Sequence, residues 1–74
     1  MIQDRSKVLR RLAKVLGGAA SFREEELYYY NCSIDLHEDL TLWIFTPEFG
    51  PMHFATYDPL EYHFIFLLPL WKIV

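Results

Sequence analysis

The spacing of apolar residues changes once along this chain, and the change restricts the folds open to it. Val8, Leu9, Leu12, Val15 and Leu16 recur at the spacing of a helix face, with Lys7, Arg11 and Lys14 at i, i+4 and i+7 on the opposite side. From Leu27 the period drops to two: Tyr28, Tyr30, Cys32, Ile34 and Leu36 fall on one side of an extended chain, and Tyr29, Asn31, Ser33 and Asp35 on the other. One amphipathic helix followed by alternating strands reads as an α+β protein.

Local signals set the boundaries. Asp4 or Ser6 can accept the free amides of the first turn, and Gly17-Gly18 supplies a left-handed stop, so the helix is predicted over Gln3 to Leu16. Ser21 and Glu24 have the spacing of a capping box, which predicts a short helical turn over 21–26; a full second helix over 21–30 is the alternative. Strands follow over Leu27–Leu36, Leu40–Thr46, Met52–Tyr57 and Tyr62–Leu68. They are separated by His37-Glu38-Asp39, by the Pro47 to Pro51 turn and by Asp58-Pro59. Connections this short suit hairpins and are too short for parallel crossovers, so the expected sheet is a four-stranded antiparallel meander carrying the N-terminal helix. Pro69 cannot donate to a ladder and ends the last strand, leaving 70–74 as an edge segment or an arm.

The second and fourth of these strands do not alternate in polarity. Once one helix covers a face, either Trp43, Phe45, Ile65 and Leu67 or Leu42, Ile44, Phe64 and Phe66 still lack cover. A single domain of 74 residues buries only about 60% of the surface its unfolded chain exposes, so its core is thin. Both points predict association, most simply a homodimer formed by packing two sheets across a two-fold axis.

Charge divides the chain in the same place as periodicity. Up to Arg23 there are six basic residues against Asp4 alone; from Glu24 onward there are nine acids against Lys72 alone, for a net charge of −3. All the aromatics except Phe22 lie in the acidic part. The Arg-rich start, Met1 to Phe22, has the look of a transit peptide, but Asp4 and the loss of the only strong helix weigh against cleavage there. The longest apolar run, Phe64 to Trp71, is eight residues, against about 20 for a membrane-spanning helix. A lone cysteine, Cys32, can make no internal disulfide and suits a reducing, cytoplasmic setting.

Catalytic and metal chemistry find little support in the residues. Cys32, His37, His53 and His63 show no recognised ligand spacing, although pairing about the Asp58 turn would make His53 and His63 diagonal neighbours. Cys32 beside Tyr30 and Ile34 reads as a packing thiol rather than a nucleophile partnered by His37 or His53. Glu24, Glu25 and Glu26 have no apolar bracket to raise a pKa, and no glycine-rich phosphate loop is present. The expectation is a non-enzymatic protein without cofactor or metal.

Tyr and Trp concentrate at the energetic centres of protein interfaces. The sequence therefore points to a protein-binding factor, of the inhibitor, adaptor or immunity type, acting sterically as a dimer. Its contact residues would be Tyr29, Trp43, Phe45, Ile65, Leu67 and Trp71, rimmed by Glu38, Asp39, Glu48, Asp58 and Glu61. The alternative is a nucleic-acid-binding regulator that sets Lys7, Arg11 and Lys14 against phosphates.

Overall fold

The computed structural model describes residues 4–73. Its single α-helix, α1, spans Arg5–Leu16. Asp4 is the N-cap and accepts the Lys7 amide at 3.0 Å. The predicted start at Gln3 lies outside the described residues. Gly17 ends the helix at φ +81° and ψ −151°, a region essentially closed to residues with a side chain. Leu9 and Leu12 are completely buried beneath it, each contributing about 1.5–3 kcal/mol of transfer free energy.

A 3-10 turn over Gly17–Ala19 leads into six strands: β1 (Ala20–Arg23), β2 (Glu26–Tyr29), β3 (Cys32–Leu36), β4 (Thr41–Thr46), β5 (Gly50–Asp58) and β6 (His63–Phe66). They form one antiparallel sheet in chain order, so the meander holds but has six strands instead of four. The two extra strands come from segments read differently in the sequence. The expected helical turn over 21–26 is a hairpin, with Arg23 opposite Glu26 and with Glu24 and Glu25 at φ +51° and +66°. The strand expected over 27–36 is cut by Tyr30 and Asn31 at φ +47° and +66°, with Tyr29 opposite Cys32. Both are two-residue turns with positive φ at each central position, the kind whose twist matches the flanking strands.

That second turn resets the alternation. Leu27 and Tyr29 face the helix on β2, then Cys32, Ile34 and Leu36 do so on β3. Tyr28 therefore lies on the other face, and Tyr29, expected to point outward with Asn31, is 6% exposed.

Between β4 and β5 the register slips, pairing Leu42 with Ala55 but Trp43 with His53. Phe54 is the extra residue of this bulge, and both Phe54 and Ala55 are fully buried with Leu42 and Ile44. The helix side is thus the Leu42, Ile44, Phe64 and Phe66 face. The Phe54 carbonyl also accepts the amides of Leu67 at 2.8 Å and Leu68 at 3.3 Å, which bends the chain away after β6. The segment expected as an edge or arm instead forms a 3-10 turn over Leu70–Lys72, with Leu70 buried in the core. Arg10 lies 4.9 Å over the Phe22 ring on β1, and Arg11 lies 5.2 Å over the Tyr62 ring just before β6. The sheet curls far enough for one helix to reach its first strand and the turn preceding its last.

Candidate protein interface

The face turned away from the helix follows from the register. Across its middle run Glu26, Asp35, Trp43 and His53; beside them lie Phe45 with Pro51 on one side and Thr41, Thr56 and Ile65 on the other. No element of the chain covers this face among the described residues. Phe45 is 47% and Ile65 49% exposed, while Trp43 is half-buried by its neighbours.

Those neighbours are two imidazoles. His37, from the β3–β4 turn, stacks on one side of the indole at 5.4 Å and 17°, and His53 stacks on the other at 5.3 Å and 21°. Three polar chains hold the stack. The Trp43 indole N–H donates to Thr41 Oγ1 at 2.9 Å, and the Thr41 hydroxyl donates in turn to Asp39 Oδ1. The Thr41 hydroxyl, followed by its amide, holds the Asp39 carboxyl below the usual carboxylate range. His53 Nε2 lies 3.0 Å from the Ala55 carbonyl oxygen; since a carbonyl only accepts, that nitrogen carries the hydrogen. His37 Nε2 lies 3.2 Å from Asp35 Oδ2, whose other oxygen accepts from Arg5 at 3.0 Å. Arg5 also reaches Glu26 at 3.5 Å, linking the start of the helix to the aromatic stack.

The sequence-derived contact residues divide among three places. Trp43, Phe45 and Ile65 share the outer face. Leu67 and Trp71, 55% and 72% exposed, instead line a groove of about 380 Å³ with Val15, Leu16 and Phe66. Tyr29 lies in the core at the floor of that groove. His53 does not neighbour His63: β5 pairs His53 with Trp43, while His63 sits opposite Asp58 at 3.9 Å. His37 and His53 were not legible as partners of Trp43: His53 meets it only through the Phe54 bulge, which has no local signature, and His37 reaches it from a turn residue outside the strand alternation.

The rim acids cluster by topology. In a meander, alternate turns fall at the same end of the sheet, so Glu24, Glu25, Glu38, Asp39 and Glu61 gather at one end together with Asp58, while Glu48 lies at the other. The basic segment is largely engaged within the chain. Arg5 pairs with Asp35, Arg10 with Glu25 at 3.2 Å, Arg11 stacks on Tyr62, and Arg23 lies 4.2 Å over Tyr28. Of the Lys7, Arg11 and Lys14 stripe, the two lysines are exposed.

The sheet separates Cys32, which faces the helix, from His37 and His53 on the outer face, so no thiol–imidazole pair is assembled. Among the described residues no three His, Cys, Asp or Glu side chains converge as metal ligands, and no helix is long and apolar enough to cross a membrane. No protein-family model, curated protein or solved structure matches the chain.

Proposed function

We propose that the protein acts by binding another protein through the outer face of its sheet, sterically and without catalysis, as an inhibitor or adaptor does. The observation that carries this reading is the strip of Trp43, Phe45 and Ile65, apolar side chains that no element among the described residues covers, while the other face of the sheet is buried. Stacking between His37 and His53 fixes the Trp43 ring in advance, which lowers the ordering cost of association. Six acids at one end of the strip favour a partner with an apolar depression flanked by Lys or Arg. Such charges speed encounter and reject like-charged surfaces. Nucleic-acid binding has less support, because the four arginines of the basic segment already have partners within the chain.

Affinity capture with the intact chain tests the reading, comparing wild type with Phe45→Ser and Lys14→Ala and quantifying the bound proteins. The expected result is a partner that Lys14→Ala retains and that Phe45→Ser loses by about tenfold or more. Equal capture by wild type and Phe45→Ser would overturn it, as would bound material that nuclease releases and Lys14→Ala fails to hold.

A further inference from the structure

We propose that β6 is the seam of a symmetric dimer, in which the strand pairs antiparallel with β6 of a second copy of this chain. The sheet is open, with β1 and β6 as its edges. Helix α1 packs on β1, where Arg10 lies over Phe22 and the strand ends in Arg23, Glu24 and Glu25. Such cover and charge deter edge pairing. β6 has no such protection: His63-Phe64-Ile65-Phe66 contains no proline, lysine or acid, and the bulge belongs to β5. Ile65 is 49% and Phe66 42% exposed.

The backbone and the side chains select the same register. The Leu67 amide turns toward β5, where it meets the Phe54 carbonyl. Alternation along the strand turns the backbone groups of Ile65 and His63 the same way and leaves the N–H and C=O of Phe64 and Phe66 pointing outward. A two-fold axis at Ile65 sets Phe64 of each copy opposite Phe66 of the other, so every outward donor and acceptor of both residues is used. The same register places aromatic opposite aromatic and isoleucine opposite isoleucine.

Charge permits the contact. Each copy carries a net −3, yet residues 63–73 hold no acid, only His63 and Lys72. The exposed Leu67 and Trp71 lie just beyond the strand and would share in the buried surface. This dimer takes Ile65 into its seam, leaves Trp43 and Phe45 free for a partner, and does not rest on the protein-binding reading. It replaces the face-to-face packing that the sequence suggested with edge pairing.

In this register the two Ile65 residues form a non-hydrogen-bonded pair about 4.5 Å apart at Cα, within the reach of a disulfide. Light scattering of the full chain is expected to give twice the chain mass for wild type and the single-chain mass for Ile65→Lys, with an unchanged far-ultraviolet circular dichroism spectrum. Under mild oxidation Ile65→Cys is expected to link covalently into dimers, whereas Phe45→Cys is not. A wild-type chain of single mass would overturn the proposal, as would an Ile65→Lys chain that keeps the double mass. Preferential linking of Phe45→Cys would also overturn it and would indicate packing through the outer faces. A single-mass chain leaves capture of another protein through Phe45 untouched, whereas preferential linking of Phe45→Cys would give that face to a second copy instead.

Discussion

Trp43 has a structural task as well as an exposed one. Its ring is held between His37 and His53, and each aromatic contact of this kind adds about 0.5–1.5 kcal/mol beyond area burial. Trp43→Ala removes both contacts and the indole bond to Thr41, so it is expected to destabilise the fold by about 2 kcal/mol, read as a lower midpoint in urea. Trp43→Phe keeps a ring between the imidazoles and should recover part of the loss. For this reason Phe45, half exposed and without such partners, is the cleaner probe of binding. Which face of β4 the helix covers was not legible, because the strand is apolar on both; only that Trp43 shares a face with Phe45 was legible from the alternation. Its flanking histidines were not, since pairing it with His53 requires an extra residue at Phe54 that no turn signal marks.

The helix and its boundaries were the most readable part of the chain, because capping and glycine stops act within a few residues. Gly17→Ala tests the stop. The site has open space for a Cβ, so the cost comes from the backbone at φ +81° and should be about 1–3 kcal/mol, measured by thermal or urea denaturation. The β1–β2 and β2–β3 turns were misread for a physical reason. Two-residue hairpin turns are normally announced by Asn-Gly or Asp-Gly, and here Glu24-Glu25 and Tyr30-Asn31 occupy left-handed conformations instead. Each unfavourable turn persists because its strands are anchored on the core side, through Phe22 and Leu27 in one hairpin and through Tyr29 and Cys32 in the other. The Glu25 carboxylate adds contacts to Ser6 and Arg10. Packing thus overrode the capping-box pattern at Ser21 and Glu24, and the shift in parity at Tyr30-Asn31 moved Tyr29 from the expected outer face into the core.

One helix and the segment after β6 together close the concave side of the sheet, which is why Leu70 is almost fully buried. Leu70→Ala should cost about 2–5 kcal/mol. In a domain of this size that is a large share of a total stability of about 5–15 kcal/mol, so the variant should bind a hydrophobic dye and lose amide protection around Phe54. Retained protection would mean that the segment merely rests on the sheet. The chain order of the strands has a further, kinetic consequence. Every strand pairs with its neighbour in sequence across a connection of two to four residues, so loop closure costs little at each step, and a single hairpin forms in about 1–10 μs. The most widely separated parts of the chain meet where residues 66–71 line a groove with Val15 and Leu16 and where Arg11 lies over Tyr62. Docking the helix onto the sheet closes far longer loops than any hairpin does, so the loop-entropy cost of folding falls mainly on that step.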